Sequence, residues 1–484
     1  MSKKVLIIGA GLAGLSTGIY LQEQGVQTEI FEISGQAGGM CTAWERKGYR
    51  FDGCIHWMVG TKPDSPYYKL YEEVHALDKN TEIYNALSIK TQINGITYEI
   101  PMTPKPFKEF LLSVSPEDSS QIEAFCKDIA TMINTTMPVG FPNGIKEFID
   151  VMKNSRGFLS LVRKYAKVSV KEYADNFKSP VIKTLLFHLM PPQYSLFGLI
   201  MMLGTRMSGN AGYPMGGAYD VIHRMEKYYR QLGGTIHLSS KVDKIIVENG
   251  KATSLEVKGN LYSSDAIVAA CDMYDVMKRM LDGKYSHKQL DKLLESAELF
   301  SPLIVVSFGL NKKLNIPYAQ NFEYPEGINT DPDSTCYFLG IRSFEFDPSS
   351  APENCSSVMV MVDSKLDYWV NLRNSSLEAY KTRKEELSQA VASALDKRIP
   401  GFKAAIEVTD VATPATYVRY ANLYKGSWEG FAPVPSSIST NIKKTVPGIK
   451  GLYLCGQWTT VGGGICSAVY SGKEAAKSIC KYLK

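Results

Sequence analysis

The sequence predicts an α/β protein in which a Rossmann-type nucleotide-binding domain is interwoven with an α+β substrate domain. A buried-strand pattern, a glycine turn, a helix and a second strand follow one another within the first 32 residues. Strand patterns return in the middle of the chain, and its end again reads strand, glycines, helix.

Val5–Ile8 is a continuous apolar run, as a strand covered on both faces requires. Leu12–Gln24 has helical spacing, with Leu15, Ile19 and Leu21 apolar, and Thr28–Phe31 reads as a second strand closing at Glu32. Residues 81–204 change to helical segments interrupted by proline, among them Ile122–Met132 and Ile145–Met152. Strands are expected again at Thr235–Leu238, Val242–Glu248 and Ala266–Ala269. Residues 301–410 mix strands (Leu303–Phe308, Val358–Val362) with a charged helix from Leu377 to Leu395. Gly451–Cys455, the run Gly462-Gly463-Gly464 and a last helix complete the chain. The expected division is a cofactor domain built from residues 1–80, 205–300 and 411–484. The substrate domain takes residues 81–204, mostly helical, and 301–410, mixed α/β.

Composition narrows the classes. At 484 residues, 44% hydrophobic and 21% charged, the chain can bury a large core, which excludes disorder and coiled coils. A net charge of +5 is too small to suggest a nucleic-acid partner. The nine cysteines form no CxxC pair and no Cys/His cluster, so reduced thiols and no metal are expected. No run reaches the roughly 18 apolar residues of a membrane span; the longest, Leu196–Gly204, is interrupted by Gly198. Glycines break the apolar start after Met1-Ser2-Lys3-Lys4, which argues against a signal peptide. A cytoplasmic location follows as an expectation, with room for peripheral membrane contact through the Leu196–Gly204 stretch.

The chemistry lies in where the glycines fall. Gly9-Ala10-Gly11-Leu12-Ala13-Gly14 is a GxGxxG between strand and helix. Gly9 permits the turn, Gly11 admits a pyrophosphate to the backbone, and Gly14 allows close helix–strand packing. The helix N-terminus then offers free N–H groups to phosphate. Glu32 ends the second strand, where a carboxylate can accept ribose hydroxyls; an acid there argues against a 2′-phosphate. Gly38-Gly39 and Gly53 then supply close backbone approaches that a plain NAD domain does not need, and these favour FAD.

The GxGxxG, Glu32, Gly38-Gly39 and Phe51-Asp52-Gly53 together resemble the FAD-binding start of phytoene desaturase- and carotenoid isomerase-type flavoproteins. These are relatives of the flavin amine oxidases and of retinol saturase. Tyr213-Pro214-Met215-Gly216-Gly217 and Leu454-Cys455-Gly456-Gln457-Trp458, with Gly462-Gly463-Gly464-Ile465, resemble two further segments of that family. The resemblance implies that Val242 holds the adenine edge through its backbone, and that Gly456 and Gln457 lie beside the ribityl chain and pyrophosphate. It also implies that the helix from Ile465, entered through Gly463 and Gly464, aims its N-terminus at the flavin pyrimidine edge. Gln457 stands where many relatives carry an acid, and Met40 stands where many amine oxidases carry Arg.

The family's chemistry is desaturation, saturation or isomerisation of C–C bonds in a long apolar, often polyene, substrate, with hydride exchanged at flavin N5. His56, beside Trp57, is a candidate proton shuttle, and Tyr417 and Arg419 are candidates in a segment that faces the flavin in relatives. Tyr420 and Trp428 can wall the same cavity. Arg206 can line the cavity mouth but reads mainly as a surface cation, and Cys466 reads as a structural thiol. Met190, Met201, Met202, Met207 and Met215 suit an adaptable wall for a hydrophobic substrate. No second GxGxxG follows a strand, so an external electron acceptor or donor (quinone, oxygen or a reductant) is expected. Two alternatives stay open: a flavin amine oxidase, and a flavin-free prenyl-binding protein of the GDP dissociation inhibitor type.

Overall fold

The computed structural model describes residues 3–140, 149, 153–438, 440 and 442–484. The helix expected at Ile145–Met152 lies outside the described residues.

The apolar run Lys4–Ile8 is the central strand of a five-stranded parallel sheet. Its order is Thr235–His237, Gln27–Phe31, Lys4–Ile8, Ala266–Ala269, Leu452–Leu454, so the sheet recruits strands from three distant stretches of chain. Val5, Leu6 and Ile7 are wholly buried, as strands covered on both faces must be. One face carries the first helix (Leu12–Glu23), which packs on the last helix (Ile465–Leu483). The approach is close: a Cβ added at Gly472 would stand 2.6 Å from the Ala13 carbonyl oxygen, and Ser16 Oγ donates to the Val469 carbonyl at 2.9 Å. The other face is covered by an antiparallel three-stranded sheet of Val242–Glu248, Lys251–Val257 and Asn260–Ser263.

A second, seven-stranded sheet runs Ile406–Ala412, Leu303–Leu310, Ser356–Asp363, Ser334–Ser343, Ala319–Asp331, Ser88–Ile93, Ile96–Pro101. On one face Ile304, Val306, Leu339, Ile341 and Val360 pack with Trp369 and with Leu387, Val391 and Leu395 of the helix Leu377–Asp396. The opposite face, represented by Val305 and Met359, joins the core shared with the parallel sheet and the helices of residues 104–207.

The stretch that reads as helical from residue 81 begins instead with strands. Ser88–Ile93 and Ile96–Pro101 form a hairpin about Asn94-Gly95, both with positive φ (51° and 78°). This two-residue turn is a strong hairpin signal, because its twist matches that of the flanking strands. The hairpin then joins the later sheet by a parallel pairing of Gln320 with Lys90.

Candidate flavin site

The GxGxxG loop sits where the central strand gives way to the first helix. Gly9 has φ +98°, and a Cβ there would stand 2.8 Å from the Ala270 carbonyl oxygen, so only glycine fits. A Cβ on Gly14 would collide with the Gly9 carbonyl oxygen. Gly11 and Gly38 pair as an isolated parallel bridge, and the Gly38 N–H donates to the Ala10 carbonyl at 2.9 Å. Gly38-Gly39 therefore closes over the first loop, and all of Gly9, Gly11, Gly38 and Gly39 line one cleft.

Glu32 is buried at the rim of this cleft with both oxygens engaged. Oε2 accepts from the Ala10 N–H at 2.7 Å and Oε1 from the Ser34 N–H at 2.8 Å. Burial pushes its carboxyl up, and the main-chain bonds work against that push. A carboxylate oxygen accepts more than one bond, so ribose hydroxyls can share these acceptors while the main chain holds their position.

The cleft has about 970 Å³ of space, open to solvent. It brings together Leu12, Ala13, Glu32, Met40, Val242, Gly456 and Gln457 with the glycines of both loops. Val242 is buried, and its carbonyl already accepts from Arg279 Nη1 at 3.0 Å. Gln457 Nε2 donates to the Trp428 carbonyl at 3.2 Å, which leaves its side-chain oxygen as the free end of the amide. The cleft is also lined by Asp272, Asp275 and Arg279, which no sequence motif marked. Arg279 is clamped by Asp275 through two bonds of 2.8 and 2.6 Å, and Asp272, pushed up to about 6 by burial, caps the short helix Met273–Asp275 that leads into the pair. The Asp275–Arg279 spacing of four was visible in the sequence, but nothing local tied it to the glycine loop.

Gly14, Gly463, Gly464 and Ile465 do not line this cleft. Gly14 acts by packing. Gly463 and Gly464 lead into the last helix, and a Cβ on Gly463 would stand 2.7 Å from the main-chain oxygen of Glu429. The Glu429 carboxyl is half-buried in side-chain area, has no hydrogen-bond partner among the described residues, and is pushed up to about 8 by burial. Its charge reaches Cys54 and Cys466, so it lies between the turn after Asp52 and the start of the last helix. No sequence pattern marked it.

Asp52 fixes that turn. Its Oδ1 accepts from the Cys54 and Ile55 N–H groups at 2.9 and 2.8 Å, and its Oδ2 from Ala218 at 2.7 Å. His56 follows, pulled down to about 3 by burial and by the nearby Arg342 charge, so its imidazole is neutral at physiological pH.

A second cavity, open to solvent, abuts the first and shares Gly39, Met40 and Ala421 with it. Trp44, Thr416, Tyr417 and Tyr420 line it, and the ion pair Arg46–Asp410 (3.1 Å) stands at its edge. Tyr417 is half-buried there. Arg419 is brought to neither cavity: it is exposed, with its guanidinium 5.0 Å from the Tyr420 ring. On the short helix Pro414–Ala421 it points away from the half-buried Tyr417 side.

Glycines that a Cβ would block, a helix N-terminus and a carboxylate held by two main-chain N–H groups form a cradle that fits FAD. Among the described residues no cluster of His, Cys, Asp or Glu could hold a metal. No helix of the described residues is long and apolar enough to cross a membrane. The chain is 24% identical over 509 aligned positions to a 1-hydroxycarotenoid 3,4-desaturase of Flavobacterium sp. (strain P99-3), covering 99% of each chain. It is 23% identical to a chloroplastic prolycopene isomerase of Daucus carota, covering 99% of this chain and 80% of that one. Its fold resembles the solved cyclohexylamine oxidase of Brevibacterium oxydans IH-35A, with TM-score 0.61 at 14% identity over the whole of both chains. The sequence profile of the family described as flavin containing amine oxidoreductase matches residues 12–480. The chain is therefore a member of the flavin containing amine oxidoreductase family, an oxidoreductase whose cofactor is FAD.

Proposed function

We propose that this chain desaturates, saturates or isomerises C–C bonds of a hydrophobic, polyene- or lipid-like substrate. The observation that carries the reading is the aromatic cavity of Trp44, Tyr417 and Tyr420, which meets the cofactor cleft at Met40. Flat aromatic walls and a methionine suit a long unsaturated chain. The desaturase and isomerase relatives point the same way.

Bound FAD supplies two-electron hydride chemistry. The chain's part is to hold and shape. Glu32 and the glycine loops bind the nucleotide end, with Val242 at the adenine edge and Gly456 and Gln457 along the connecting chain. Gly463, Gly464 and Ile465 set the last helix so that its N-terminus favours negative charge near the flavin. Asp52 holds the turn that carries His56, the candidate proton shuttle, whose neutral imidazole donates one hydrogen bond and accepts another. Tyr417 walls the substrate cavity, and Arg419 stays at its outer surface. Residues 81–204 and 301–410 make the substrate domain, and electrons leave to or enter from an external quinone, oxygen or reductant. A cytoplasmic site with peripheral membrane contact fits a substrate drawn from lipid.

Anaerobic mixing of the oxidised and reduced protein with polyenes, unsaturated fatty acids and amines, followed by flavin absorbance, tests the reading. Polyenes or unsaturated lipids should bleach or reoxidise the flavin. Bleaching by amines alone would overturn it in favour of an amine oxidase.

A further inference from the structure

Between the core-facing side of the seven-stranded sheet and the helix Leu196–Met207, two cations stand without an acid among the described residues. Arg342 lies on the strand Ser334–Ser343, and the register pairs it with Met359, which in turn pairs with Ser307. Directly paired residues share a sheet face, so Arg342, Met359 and Ser307 all project toward the helices of residues 104–207. Arg206 ends one of those helices, Leu196–Met207. Each arginine keeps part of its area accessible while protein surrounds the rest. Burial pulls both guanidinium groups down, and the charge of Arg206 pulls Arg342 down further.

Neither has the compensation that such burial demands. Among the described residues the Arg206 side chain makes no hydrogen bond, ion pair or ring contact. The Arg342 guanidinium donates only to the neighbouring Ile341 carbonyl, at 2.8 Å. Two hydroxyls in the same region are also orphaned: Tyr318 and Ser307 are buried with no partner for their oxygens. Tyr318 feels both arginines, and His56 feels Arg342, so the group adjoins the turn held by Asp52. Asp52 is the acid whose charge also reaches Tyr318, and it is occupied by three main-chain N–H groups.

We propose that Arg206 and Arg342, with the Tyr318 hydroxyl, bind the anionic oxygen-bearing headgroup of an otherwise apolar substrate. A carboxylate or phosphate ester there accepts from both guanidinium groups and replaces the missing counter-charge. The substrate class is then an amphiphile, a polyene or unsaturated chain ending in an anion, rather than a plain hydrocarbon. This inference rests on the reading of the protein as acting on a long apolar chain.

The test measures equilibrium binding to the flavin-loaded protein of a C20 polyene carboxylic acid, the matching alcohol and a C20 polyprenyl monophosphate. One or both anions should bind roughly ten- to hundredfold more tightly than the alcohol, the range of one charge-assisted interaction. Which anion wins identifies the headgroup. Arg342→Met and, separately, Arg206→Met should reduce anion binding to the alcohol's level and leave the alcohol unchanged. With no acid to orphan, neither variant should lower the melting temperature of the ligand-free protein. Alcohol and anions binding equally to the unaltered protein would overturn the inference while leaving the apolar-chain reading intact. So would a marked fall in melting temperature in both variants. Failure of all three ligands to bind, with amines active, would instead overturn the apolar-chain reading and the inference with it.

Discussion

Replacing Glu429 by Gln tests the description of the region where the last helix begins. In the folded protein the carboxyl titrates near 8, against 4.5 for an ordinary glutamate. A carboxyl whose folded value is raised gives stability that is full at low pH. That stability is lost as pH climbs from the unfolded value to the folded one. Between those limits the unfolded chain has released a proton that the folded chain still holds, so stability falls by at most about 1.4 kcal/mol per pH unit. From pH 5.5 to 7.5 the unaltered protein should therefore lose about 3 kcal/mol relative to Glu429→Gln, which has no proton to release. Asp52 and Asp272, both raised to about 6, add a loss of the same sign at the acid end. They do so in both proteins and cancel in the difference. Urea midpoints at half-unit pH steps, with and without flavin, measure it. If the two pH curves run parallel, Glu429 is ionised across the range, and the N-terminus of the last helix stabilises the anion more than burial opposes it.

Glu32→Ala leaves the Ala10 and Ser34 N–H groups without their acceptor, at a cost of roughly 1–3 kcal/mol each, and should strip FAD during gel filtration; unchanged flavin-to-protein absorbance would contradict the ribose assignment. Gly14→Ala forces a methyl onto the Gly9 carbonyl and should destabilise the protein by roughly 1–3 kcal/mol, read as a lower thermal midpoint. Arg419→Ala should change stability by no more than about 0.5 kcal/mol and leave flavin content and turnover unaltered. With His56 pulled down to about 3, His56→Gln should leave the pH profile of flavin reduction between pH 5 and 8 unshifted, even where the rate falls.

The nucleotide end of the site was legible because it is local. Gly9 to Gly14 and Glu32 lie within one strand–helix–strand unit, and each glycine answers a constraint set by its near neighbours. The hairpin at Asn94-Gly95 was equally local, yet the proline-punctuated helices that follow it masked its two strands. What could not be read were groups defined by who is absent beside them. Glu429, Arg206 and Arg342 are ordinary surface-type residues in sequence, and only long-range packing deprives them of partners. The parallel pairing of Gln320 with Lys90 is of the same kind: it joins strands more than two hundred residues apart, with no periodicity to announce it.

The five-stranded sheet also sets a timetable for synthesis. Its central strand emerges from the ribosome first, one neighbour comes with residues 266–269, and the edge strand Leu452–Leu454 arrives some 450 residues later. Until then the first helix lacks the last helix that covers it, and the cleft lacks Gly456 and Gln457. The nascent chain must carry an exposed apolar sheet edge through most of its translation, a state prone to aggregation. Flavin capture is thus a closing event of folding rather than a nucleus for it, and overproduction without a matching supply of chaperones should yield colourless aggregate before yellow protein.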